Sequence, residues 1–167
     1  MLYFKEVTDY FEQHELEAPV GSASEDIALL ERKLGFKFPK AYKEFLELIG
    51  NDYNGVMIGT NCFLSDIESN NNYLPDLLIE NNIRDYKLPN NYISFFCHQG
   101  YIMAWFSLPS KNDDPQCYYY FEGTTKYPEL YGTFSEFMKK DLLGNAKLRV
   151  ENRNYDKMSK KWWQFWK

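Results

Sequence analysis

Histidine is nearly absent from this 167-residue chain, with two copies, His14 and His98, and that scarcity limits the chemistry it can do near neutral pH. Cysteine is also sparse. Cys62, Cys97 and Cys117 are odd in number and widely spaced, which suits neither a disulfide framework nor a CxxC zinc site, so reduced structural thiols are expected. No window approaches 18 uncharged apolar residues, and Lys5, Glu6 and Asp9 stand where a signal peptide would carry its apolar core. The expectation is therefore a cytoplasmic protein. There is no G-x-S-x-G elbow, P-loop, G-x-G-x-x-G or H-E-x-x-H motif, and no cofactor or metal is expected.

What is present is charge, and it is unevenly placed. The net −5 splits into +6 over residues 139–167, with nine Lys/Arg against three acids, and −11 over residues 1–138, with 10 basic and 21 acidic residues. An acidic body of that size argues against wrapping nucleic acid, whose phosphates need a basic face. Aromatic residues are abundant, with 14 Tyr, 13 Phe and 4 Trp, and they suit a core, a binding face or both.

Apolar spacing predicts helices first. Tyr3, Val7, Tyr10, Phe11 and His14 recur at helical intervals; Ser22 and Glu25 have capping-box spacing ahead of the stripe Ile27, Leu30, Leu34, which Gly35 would stop. Pro39 suits the first turn of a third helix carrying Tyr42, Phe45, Leu46 and Ile49, closed by Gly50. Short strands are expected at Val56–Ile58 and Cys62–Leu64, a polar turn or loop at Ser69–Asn72 and a short helix over Leu74–Asn81. The strongest strand signal is Tyr92–His98, then Gln99-Gly100, then Tyr101–Leu108, followed by Cys117–Glu122 as a third strand of a meander. Thr133 and Glu136 repeat the capping-box spacing before a final stripe, Phe134, Phe137, Met138 and Leu142, that would end at Gly144.

This order predicts an α+β fold, a mainly antiparallel twisted meander sheet covered by segregated helices, in one domain over residues 1–144 with a basic, aromatic C-terminal extension over residues 145–167. Cys97 and His98 cannot pair with each other, because successive strand side chains point to opposite faces. A hydrolase would have to bring Cys62 or Cys117 to His98. Asp113-Asp114-Pro115 could contact a metal or partner, against the alternative that an Asp bonds its own turn backbone. Tyr118 to Phe121 alternate faces, so two should enter the core. The closing run Lys160–Lys167 (KKWWQFWK) has the mix that favours membrane interfaces or base stacking, but equally suits docking of its aromatics on the acidic body.

The segment from Ile27 to Leu46 (IALLERKLGFKFPKAYKEFL) resembles the opening signature of the SUKH superfamily, the SMI/KNR-like proteins: an acidic amphipathic helix, L-G, a Pro, then Y-x-x-F-L. Leu88-Pro89, the strand pair around His98-Gln-Gly-Tyr101, the Asp-Asp-Pro loop, Tyr118–Glu122 and Thr133-Phe-x-x-Phe137 follow in the family's order. The resemblance implies a non-enzymatic interaction domain, of which bacterial members look like immunity proteins that bind and neutralise a cognate toxin, often a nuclease. Fungal relatives act as cell-wall regulators, so a regulatory scaffold is the alternative. It transfers no catalytic residues; Leu34, Gly35, Pro39, Tyr42, Phe45 and Leu46 match as core and turn positions. Charge then suggests a basic toxin as partner, with contacts at Asp52 and Tyr53 after the third helix and at Asp113, Asp114 and Glu122 around the meander.

Overall fold

The computed structural model describes residues 1–52 and 55–165, with side chains given through Tyr155 apart from those of residues 53 and 54. Three helices come first: α1 (Lys5–Gln13), α2 (Ser24–Leu34) and α3 (Lys40–Ile49). A two-residue strand β1 (Thr60–Asn61) and a 3-10 turn (Leu64–Asp66) lead into α4 (Ile67–Glu80). The strands β2 (Tyr92–His98), β3 (Ile102–Ser107), β4 (Gln116–Phe121) and β5 (Glu129–Thr133) follow, and α5 (Phe134–Phe165) closes the fold.

All four strand pairings are antiparallel and the sheet order is β1-β2-β3-β4-β5, a meander. The β2–β3 hairpin turns through Gln99 and Gly100, both at positive φ (49° and 82°), which matches the right-handed twist of its strands. Helices cover both faces. Phe95, Phe106 and Cys117 pack with Val7, Phe45 and Met138 from α1, α3 and α5. On the other face Cys97, Met103, Trp105 and Tyr120 pack with Leu74, Leu77 and Leu78 of α4. The tyrosine strand serves both layers: Tyr120 is buried beneath α4 with Tyr118 against it, while Tyr119 meets the opposite cluster.

Several local expectations hold. Gly35 takes the left-handed conformation (φ 77°) and its N–H donates to the Glu31 carbonyl at 2.9 Å, closing α2. Glu136 Oε2 accepts from the Thr133 N–H at 2.9 Å, and Thr133 Oγ1 from the Glu136 N–H at 3.4 Å, the reciprocal cap that starts α5. Others differ for physical reasons. The Ser22–Glu25 box does not form: α2 begins at Ser24, and the Ser22 N–H donates to the Leu46 carbonyl at 2.8 Å, tying this turn to α3. Val56–Ile58 forms no strand and Cys62–Leu64 leads into a 3-10 turn, leaving Thr60–Asn61 to pair with Cys97–His98.

Ser69–Asn72 is helical rather than a loop, because tertiary bonds outweigh asparagine's weak helix preference. Asn70 Nδ2 donates to the Asn61 carbonyl at 2.9 Å, and Asn71 Oδ1 accepts from the Ser94 N–H at 2.7 Å. α5 does not stop at Gly144 either. It runs on with Ala146 fully buried, and Arg153 Nη2 and Nη1 donate to the His14 and Glu15 carbonyls at 2.6 and 3.2 Å. At the other end of the chain, Glu44 accepts three successive backbone N–H groups, from Leu2, Tyr3 and Phe4, at 2.7 to 2.8 Å. That carboxylate pins the entry to α1 and seats Phe4 in the core.

Candidate functional site

The acids singled out by sequence occupy separate places. Asp113 sits in the β3–β4 loop at the start of α3: its Oδ2 is 2.6 Å from Lys40 Nζ and its carbonyl accepts the Ala41 N–H at 2.9 Å. Asp114 next to it turns the other way, accepting the Ser135 N–H at 2.9 Å and the Ser135 hydroxyl at 2.6 Å. A carboxylate at the first turn of a helix satisfies an orphan donor and meets the positive end of the dipole. Asp114 therefore ties β4 to α5 instead of bonding its own turn. Glu122, exposed at the opposite end of β4, shares only the acidic character of this pair; its N–H donates to the Tyr101 carbonyl at 2.9 Å.

Asp52, past the end of α3, is buried, and its Oδ2 accepts the Val56 N–H at 2.9 Å. It also borders a cavity of about 220 Å³ shared with Glu17, Asn51 and Arg149. Tyr53 lies outside the described residues. The structure thus brings Asp113 and Asp114 together and separates both from Asp52 and Glu122. What sequence reasoning missed is a second acidic cluster, Glu12, Glu15, Glu17 and Glu47, all exposed around the α1–α2 connection and the end of α3. Glu12, Glu15 and Glu17 are close in sequence, but Glu47 lies far from them along the chain, and that separation concealed the grouping; the outward faces of α1 and α3 were the available signal for Glu12 and Glu47.

The thiols and histidines form no activated pair. Burial pushes the Cys62 and Cys97 thiols up, and burial with the Asp114 charge takes Cys117 up to about 12, the reverse of what a nucleophile needs. His98 Nδ1 is 2.7 Å from Thr60 Oγ1, so that ring nitrogen is occupied across the β1–β2 pair. The His14 ring lies 4.2 Å from that of Tyr10 at a tilt of 38°, and the His14 carbonyl accepts from Arg153. Among the described residues no group of three or more His, Cys, Asp or Glu side chains is arranged to hold a metal ion, and no helix is long and apolar enough to cross a membrane.

Surface charge is the dominant electrostatic feature. Of the 21 acids in residues 1–138, only Glu31 and Asp52 are buried. Five of the ten basic residues there are already committed to ion pairs: Lys5 with Asp9, Lys33 with Glu68, Lys40 with Asp113, and Lys37 and Lys43 both with Glu31. The remaining field is negative and points outward. A family model described as SUKH_6, SMI1-KNR4 cell-wall, matches residues 24–138, well over half of the chain and spanning α2 through the first turns of α5. No curated protein matches the chain with significance.

Proposed function

This chain belongs to the SUKH family of SMI1-KNR4-like domains, which includes toxin immunity proteins, and from that premise we propose that it is an immunity protein that neutralises a cognate, basic bacterial toxin by occluding it stoichiometrically. The observation that carries this reading is the outward-facing acidic surface of residues 1–138. Charge complementarity of that size steers encounter with a basic protein and raises association rates, while a few aromatic anchors supply affinity. A nuclease has to present a basic cleft to its substrate, and an acidic domain seated there competes with phosphate for the same side chains. The exposed carboxylate of Glu122 is offered as part of that surface, and that of Asp113 together with the Lys40 ammonium it already pairs with. Asp52 and Asp114 contribute field from positions where their oxygens already hold Val56 and Ser135.

The test is co-expression with the polypeptide encoded directly upstream. Growth is expected to recover when the full chain is present and the two proteins to copurify. Continued growth arrest with no complex would refute the immunity reading; a complex with a host protein instead would favour a regulatory scaffold.

A further inference from the structure

Between α1 and α3 the fold leaves a groove of about 230 Å³ whose floor includes Phe11, Leu16, Pro19 and Leu48 and whose edge carries Glu12 and Glu47. Glu15 and Glu17 stand exposed on the adjoining connection. None of these four glutamates takes part in an ion pair among the described residues. An apolar floor inside a rim of unneutralised carboxylates fits a ligand that brings aromatic surface and positive charge together. The chain carries that combination at its own end. Residues 157–167 contain Lys157, Lys160, Lys161 and Lys167, no acid, and Trp162, Trp163, Phe165 and Trp166, so the segment's four positive charges equal in number the four glutamates at the groove.

The backbone indicates whose groove is filled. α5 is fastened to the α1–α2 connection at Arg153, beside the groove, and Asn154 and Tyr155 beyond it are exposed. The helix continues through Phe165. At 1.5 Å per residue, a continuous helix has moved about 14 Å past Arg153 by position 162 and does not double back to its own anchor. We propose that the C-terminal segment 157–167 of one copy docks in the α1–α3 groove of a second copy. Reciprocal exchange of the two segments closes a dimer. This inference is independent of the toxin reading.

Sedimentation equilibrium of the full chain over a wide concentration range, with circular dichroism as a folding control, tests it. A concentration-dependent dimer is expected. The rim variant Glu12→Lys/Glu47→Lys and the tail variant Lys160→Glu/Lys161→Glu should each weaken dimerisation at least tenfold when alone. Mixed together they should recover it, because each variant's tail then meets a groove of opposite charge. A monomer at every concentration overturns the proposal, as does a dimer indifferent to both variants or a mixture that fails to recover. Tail-dependent binding of a monomer to phosphatidylglycerol vesicles, unaffected by the rim variant, also overturns it and makes the segment a membrane element.

Discussion

Replacing Phe134 by alanine should lower stability by about 3 to 5 kcal/mol, the usual range for a large-to-small change at a buried aromatic. Phe134 is fully buried at the first position of α5, where five rings surround it: Phe95 at 4.8 Å, Tyr42 at 5.3 Å, Phe45 at 5.6 Å, Phe106 at 5.8 Å and Phe4 at 6.2 Å. Those partners come from the residue that caps α1 and from α3, β2 and β3, so the cavity would open where the ends of α1 and α5 and the body of α3 meet the sheet. Its N–H also donates to the Pro115 carbonyl at 2.8 Å, a bond that alanine keeps, which restricts the loss to packing. At roughly 2 to 4 °C per kcal/mol for a chain of this size, the melting temperature should fall by about 10 °C. Phe134→Leu should restore much of that. A loss under about 1 kcal/mol in thermal or urea unfolding would show that this hub is not central to the core.

Glu31 should make stability depend on pH in the acid range. Its carboxylate is buried on α2, 2.8 Å from Lys37 Nζ and 3.4 Å from Lys43 Nζ, and it accepts the buried Phe38 N–H at 2.7 Å. Burial alone would raise its pKa, but the bonds from Lys37 and the Phe38 backbone, with the Lys43 charge, outweigh burial and hold it below the ordinary value of 4.5. A carboxyl depressed on folding contributes stability that is fully present above its unfolded pKa and is lost as pH falls through the folded one. The chain should therefore lose the Glu31 contribution on acidification below about pH 4.5, and Glu31→Gln should remove that part of the pH dependence while keeping an acceptor for Phe38. Glu31→Ala also leaves the Phe38 N–H without a partner and should cost about 1 to 3 kcal/mol at neutral pH. Parallel melting curves between pH 7 and 3 check this; identical acid profiles for the native chain and Glu31→Gln would contradict it.

Much of the fold was legible because its signals are local. The stripes Ile27-Leu30-Leu34 and Tyr42-Phe45-Leu46-Ile49, the glycine stop at Gly35 and the strand Tyr92–His98 each act within a few residues, and each appears where spacing puts it. The losses are equally physical. The asparagines opening α4 read as a turn, since their helix is stabilised by β1 and β2 rather than by propensity. β5 carries Gly132 and an exposed Leu130, and pairing with β4, not pattern, makes it a strand. Gly144 looked like a stop because glycine favours ends, yet its helix continues on contacts made by Ala146 and Arg153.

The candidate surface was legible as charge but not as geometry. Composition located an acidic excess in residues 1–138, and its outward distribution agrees with that reading. It could not separate acids that face solvent from those that hold the chain together. Asp114 and Asp52 look as available as Asp113 in sequence, yet one anchors Ser135 and the other Val56. Glu44 likewise reads as an outward helix residue while it gathers three N–H groups from the N-terminus. The Asp114 and Glu44 roles depend on contacts some 20 to 40 residues apart, beyond the reach of any spacing rule, whereas Asp52 closes a local turn four residues long that its composition does not distinguish from an open loop.

The central claim is occlusion by one molecule of this chain per toxin, and titration tests it most directly. The purified full chain would be added to the purified polypeptide encoded directly upstream, with binding heat and that polypeptide's residual toxic activity followed together. The account predicts one-to-one binding, with activity falling linearly to zero at equivalence and an association rate that drops steeply as salt screens the acidic surface. Inactivation by far less than one equivalent would point to turnover, and absence of binding heat with the toxin still active would contradict the account outright.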